Sequence, residues 1–191
     1  LYNLTSEETG YHAPDITTDL FIERDWTNRH SRINGGITVT MGTDSYASTI
    51  TCNSGNGLDF TNNTSSAAVL KAKNSLYPVT ITGQSGGGPD FDKGGSGSQV
   101  ELADVNYVGT LTTGGNGVTI KLTGDCEFDA VTVSSGDTLD LNGQRAVIDG
   151  VFDVNGTIDA DGMFILNNTI DYDGSAFSNA NNCTMIFRNT T

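Results

Sequence analysis

The sequence predicts an all-β chain wound as a parallel β-solenoid. Three observations carry that expectation: a fixed repeat, period-two alternation inside it, and Gly-closed turns between its segments. Toward the C-terminus, Thr119-Ile120-Lys121-Leu122-Thr123-Gly124 is followed by Thr138-Leu139-Asp140-Leu141-Asn142-Gly143 and then Thr157-Ile158-Asp159-Ala160-Asp161-Gly162, each 19 residues after the last. A short fixed period of this kind marks a stack of coils, one period to a coil.

Within each period the apolar residues alternate: Ile120 and Leu122 flank Lys121, Leu139 and Leu141 flank Asp140, Ile158 and Ala160 flank Asp159. Alternation places one set on a buried face and the other in solvent. Asn142-Gly143, Asp149-Gly150, Asn155-Gly156, Asp161-Gly162 and Asp173-Gly174 supply bends. The segments between them are too short for amphipathic helices. A meander of hairpins would use the same turns, but it reverses at each one and has no reason to hold a column register. In a parallel coil, residue i lies on residue i+19 at roughly 4.8 Å. The expected stacks are Ile120 on Leu139 on Ile158, and Thr119 on Thr138 on Thr157, with a second interior column of Phe128, Val147, Leu166 and Met185.

The division along the chain follows the same pattern. Residues 1–33 hold the sole tryptophan, Trp26, among clustered charges and lack the Gly-punctuated alternation, so they are expected to form an N-terminal cap or docking arm. An open solenoid end exposes unpaired backbone and an apolar cross-section that need cover. Residues 34–83 carry short alternating runs and read as early coils; Ala67–Ala72 is left open between a helical turn and a strand. Residues 84–99 are a Gly/Ser-rich loop, either a hinge or a long excursion from one coil. Residues 100–191 form the regular solenoid, whose first coil is expected to be one residue short because Val100 and Leu102 precede Val118 and Ile120 by 18.

Composition bounds the chemistry. The 191 residues suit one large domain or two small ones, with 24 Gly and 3 Pro as in a turn-rich β chain. The net charge of −14 excludes a nucleic-acid surface, which needs a basic patch, and is read as a solubility feature. No apolar run reaches the length of a membrane span, so no membrane insertion is expected. The chain opens with Leu1 and shows no signal peptide, which suggests a processed product or a segment of a longer polypeptide. Cys52, Cys126 and Cys183 read as small buried hydrophobes. Cys126 and Cys183 share the 19-residue column three coils apart, roughly 14 Å, too far for a disulfide.

No catalytic, cofactor or metal residue is assigned. His12 and His30 lie far from any Cys-x-x-Cys, and no triad pattern exists. The Gly-rich loop lacks the phosphate-loop pattern, and Gly87-Gly88-Pro89-Asp90 lacks the calcium-repeat spacing. Asp140 and Asp159 share a column at a separation suited to a retaining glycosidase, but no aromatic residue flanks them and Lys121 can partner Asp140, so they are read as a solvated ladder. Sequons occur at Asn3, Asn62, Asn63, Asn155, Asn167, Asn182 and Asn189.

The runs Val131–Gly143 and Gly150–Ile158 resemble the parallel β-helix repeats of phage virion proteins and of bacterial filamentous-haemagglutinin-type adhesins. The resemblance covers roughly residues 100–191 and rests on repeat chemistry. It implies a right-handed β-helix on a virion surface or otherwise extracellular. The expected function is therefore a non-enzymatic structural protein: a virion decoration, appendage or fibre subunit. Expected partners are further copies of itself or capsid, tail or filament neighbours, through Phe21, Ile22, Arg24, Trp26 and Arg29. The alternative is a carbohydrate-binding or carbohydrate-processing β-helix domain of an adhesin or tailspike, with a glycan as partner.

Overall fold

The computed structural model describes residues 1–6, 15–28, 31–52, 58–61, 67–83, 99–113, 117–172 and 177–188. Every strand pairing among them is parallel. The strands build sheets of eleven, eight and three members, and the chain visits them in rotation. Leu4–Ser6 opens the first sheet, Asp15–Ile16 the three-stranded one and Leu20–Ile22 the eight-stranded one; Trp26–Asn28 then returns to the first sheet and lies on Leu4–Ser6. This is a β-solenoid.

Later coils reach the third face differently. The long strands Val105–Thr112 and Cys126–Val133 shift register between Tyr107 and Thr110 and serve two faces. Cys126 and Phe128 pair with Ala146 and Ile148, while Val131 and Val133 pair with Phe152 and Val154. Inward side chains from all faces join one apolar core that runs from Ile22 to Leu166.

The repeat holds where it is clearest. Thr119 pairs with Thr138 and Thr138 with Thr157, while Ile120, Leu139 and Ile158 stack fully buried. Burying each such side chain contributes about 1.5–3 kcal/mol. Ala68–Ala72, at the segment left open by the sequence, is a strand on Thr38–Met41.

The 19-residue step is local rather than general, and several expectations built on it need correction. Val100 pairs with Ile120 and Leu102 with Leu122, a step of 20, so that coil is longer rather than shorter. The second interior column is Phe128, Ile148 and Leu166, with the exposed Phe187 stacked on its end; Val147 faces outward on Glu127, and Met185 stacks on Phe164. The reason lies at a corner. Ile120 precedes Cys126 by six residues, Leu139 precedes Ala146 by seven and Ile158 precedes Phe164 by six, although the three pairs are in register. The extra residue sits in the Asn142-Gly143 bend, where both residues take positive φ, 48° and 79°. That residue moves the next strand by one and exchanges its faces. Cys183 and Met185 leave their expected columns in the last coil instead, where the step from Phe164 to Met185 is 21 residues, so Cys183 stacks on Gly162 and not in the column of Cys126. Another coil is much longer, with 32 residues from Ala68 to Val100; the Gly/Ser-rich residues 84–98 fall inside it and outside the described residues.

The described strands of the first 33 residues belong to the same sheets as the rest, and Trp26, fully buried, pairs with Ile50 in the chain's own core.

Candidate functional site

The acidity of the chain has a structural use. Asp19, Asp25, Asp125 and Asp137 each stand immediately before a strand, and each carboxylate accepts a backbone N–H from the in-register position one coil away. Asp19 Oδ1 accepts from Thr38 at 2.8 Å, Asp25 Oδ1 from Thr49 at 3.0 Å and Asp125 Oδ1 from Arg145 at 2.9 Å. Asp137 Oδ1 accepts two, from Gly117 at 2.7 Å and Val118 at 2.9 Å, and its side chain is fully buried. At a corner the parallel ladder is interrupted, and the carboxylate takes the place of the missing carbonyl. The sequence signal was an Asp directly before four of the alternating runs, at Leu20, Trp26, Cys126 and Thr138, which a reading of the acids as solubilising charge passes over.

The Asp140–Asp159 pair is in register, with Lys121 on one side and Ser178 on the other. One oxygen of each carboxylate is engaged locally. Asp140 Oδ1 accepts from the Asn142 backbone at 2.8 Å, and Asp159 Oδ1 accepts from Asn179 Nδ2 at 2.6 Å. Burial raises the Asp140 carboxyl above its ordinary range, with the Asp159 charge adding to the rise.

A half-open groove of about 290 Å³ lies on the outer face of the large sheet, lined by Asp104, Asn106, Asp125, Glu127, Arg145 and Val147. Arg145 bridges to Asp125 at 3.2 Å. Asp104, at a φ of 56°, has its carboxyl raised chiefly by burial and then by the Asp125 charge. Among the described residues no group of three or more His, Cys, Asp or Glu side chains has metal-holding geometry.

The residues expected to make assembly contacts separate. Ile22 and Trp26 are fully buried and leave that set, because they face the chain's own core. Phe21 stays exposed beside Leu20, Thr38, Thr40 and Lys71. Arg24 lies on the face of Tyr46, 3.9 Å from the ring centroid, and 5.6 Å from that of Tyr2. Arg29, His12, His30 and the sequons at Asn62, Asn63 and Asn189 lie outside the described residues. All three cysteines are free; Cys52 and Cys126 are buried and Cys183 is half-buried. Burial pushes the Cys126 thiol up to about 12.

The C-terminal end of the stack is a feature the sequence reading did not isolate. Cys183–Phe187 is the last strand of the large sheet, paired with Gly162–Leu166 on one edge, and it leaves Ile186 and Phe187 exposed at 38% and 63%.

Neither family models, curated proteins nor solved structures give a match to this chain.

Proposed function

We propose that the protein is a non-enzymatic structural component of a surface assembly: a decoration, appendage or fibre subunit of a phage-like virion or of an extracellular filament. The observation that carries this reading is the use made of the carboxylates. Those at the strand starts hold one coil to the next, and the in-register pair Asp140 and Asp159 is tied to Asn142 and Asn179. Acids that accept backbone and amide N–H groups in this way brace a scaffold. A stack of coils around a continuous apolar core is the architecture such a scaffold requires.

Glycan recognition is the second reading, favoured by the exposed rings of Tyr2 and Tyr46. The Arg24 guanidinium already occupies a face of Tyr46, where a sugar ring would stack. Immunogold electron microscopy with antibody against the chain tests the proposal. Label on particle or cell surfaces is expected, and label confined to the cytosol contradicts it. Incubation with a polysaccharide panel separates the two readings. Oligosaccharide release that is lost in Asp140→Asn or Asp159→Asn overturns the structural one.

A further inference from the structure

One corner of the solenoid, between the eight-stranded sheet and the large sheet, collects side chains that the packing of the coils does not use. Ile22, Met41 and Ala72 stack in register before it, and Ser48, Val79, Val105 and Cys126 stack after it. The residues that pass between them, Arg24, Tyr46, Leu76, Asp104 and Asp125, therefore follow one another along a single ridge, about one strand spacing per coil.

The first part of the ridge is aromatic and apolar. Tyr46 is 53% exposed and Leu76 80%, the most of any large apolar side chain described. Both are held in place. Thr43 donates its backbone N–H to the Tyr46 carbonyl at 3.1 Å, and a Cβ at Gly42, whose φ is 85°, would meet that carbonyl. Leu76 donates its backbone N–H to Asn74 Oδ1 at 3.0 Å. Exposed Tyr and Leu beside the ring-stacked Arg24 contrast with the threonines and acids of the other outward columns. Aromatic residues and Arg are enriched at interfaces.

The second part is the groove already described. Ser75 and Pro78, on either side of Leu76 and Tyr77, form its wall facing Asp104, Glu127 and Val147. At this same corner Asp25 and Asp125 accept backbone N–H groups from the next coil. Asp104 departs from that pattern. Among the described residues neither Asp104 nor Glu127 has a hydrogen-bond or ion-pair partner, and Arg145 is spent on Asp125. Gly124 leaves room for the Asp104 carboxyl, which a Cβ there would meet at 3.0 Å.

Charge selects the occupant. Ridge and groove hold the acids Glu23, Asp25, Asp44, Asp104, Asp125 and Glu127 against Arg24, Lys73 and Arg145, a net charge of 3 − 6 = −3 on a chain of −14. A second copy or an acidic partner is repelled there, and a neutral glycan leaves two carboxylates without a countercharge. We infer that this corner docks a basic protein segment, one of whose arginine or lysine side chains enters the groove beside Asp104 and Glu127 while a neighbouring apolar side chain covers Leu76 and Tyr46. The inference deepens the surface-assembly reading by naming the partner's chemistry, and it rests on that reading for where the partner is met.

Fluorescence anisotropy tests it, with a short labelled peptide alternating arginine and leucine titrated with the 191-residue chain at physiological salt. Saturable binding is expected, and none for a peptide alternating glutamate and leucine. Asp104→Asn with Glu127→Gln should weaken binding at least about tenfold, and Leu76→Ser at least about threefold. Asn tolerates the left-handed backbone of Asp104, so the double variant should keep the parent's thermal midpoint. Removing two exposed charges elsewhere, with Asp161→Asn and Asp171→Asn, should change the affinity less than about twofold. A second measurement needs no variant. In the methyl-labelled parent the peptide should shift Leu76 and Val147 and leave Val151, at another corner, in place. No binding at about 1 mM chain, equal weakening by the distant pair, or shifts at Val151 without Leu76 overturn the inference. So do displacement of the peptide by an oligosaccharide panel, which marks a glycan site, and a shift of Leu76 with concentration of the chain alone, which marks self-contact. Immunogold label at the surface without peptide binding overturns this inference alone; peptide binding with label confined to the cytosol upholds it and overturns only the location.

Discussion

Replacing Asp137 with Ala removes the acceptor of two backbone N–H groups, those of Gly117 and Val118, at 2.7 and 2.9 Å. The Asp137 side chain is fully buried, so water does not simply take its place. A hydrogen bond to a charged group contributes about 1.5–3 kcal/mol, and a buried donor left unpaired costs about 1–3 kcal/mol. The Val118 donor is buried and bears the full penalty, whereas Gly117 is half-exposed and recovers part of its loss from solvent. The expected destabilisation is about 3–4 kcal/mol, which at this chain length lowers the thermal midpoint by about 6–16 °C. Asp137→Asn keeps one acceptor oxygen without the charge and should lose about half as much. Urea unfolding followed by circular dichroism reads both, provided the slope against denaturant is unchanged. A loss below about 0.5 kcal/mol for Asp137→Ala would falsify the view that these carboxylates brace the coils.

Further predictions follow from the packing, the burial and the titrating groups. A Cβ at Gly156 would meet the carbonyl oxygens of Ser134 and Asp137, so Gly156→Ala should cost several kcal/mol, measured by the same unfolding. Gly136→Ala meets no atom within 4 Å but must hold a φ of 90°, and should cost only about 1–2 kcal/mol. Leu139→Asp buries a charge between Ile120 and Ile158 and should prevent cooperative folding; a sharp thermal transition near that of the parent would contradict the column. Asp104 and Asp140 have carboxyls raised by burial, so the folded state binds their protons more tightly than the unfolded chain does. Their contribution to stability therefore grows as pH falls from neutral through the raised values and is complete below the ordinary value of 3.8. The pH slope should flatten in Asp104→Asn, Asp140→Asn. In the native chain a maleimide should react with Cys183 well before Cys126, whose thiol is pushed up to about 12, and equal rates would refute that burial order.

The repeat Thr119, Thr138, Thr157 fixes strand type, direction and register over three coils, because period-two alternation and a constant step have one economical packing. The column through Val147 was not legible. One residue added at the Asn142-Gly143 bend and removed in the next coil leaves the 19-residue sum intact while exchanging the faces between them. Trp26 misled for a different reason. Its charged neighbours Arg24 and Asp25 mark a corner, and corner chemistry looks like arm chemistry when the returning strand is only three residues long. The acids at 19, 25, 125 and 137 are placed by position before a strand, a signal that net charge conceals.

The most direct test of the stacked-coil account is a methyl–methyl NOESY spectrum of chain labelled at Ile, Leu and Val. The account predicts cross-peaks from Leu139 to both Ile120 and Ile158, and from Ile148 to Leu166, pairs separated by a whole coil in sequence and by one strand spacing in space. Absence of those contacts, with cross-peaks instead marking Thr119–Leu122 and Cys126–Val133 as an antiparallel hairpin, would contradict it.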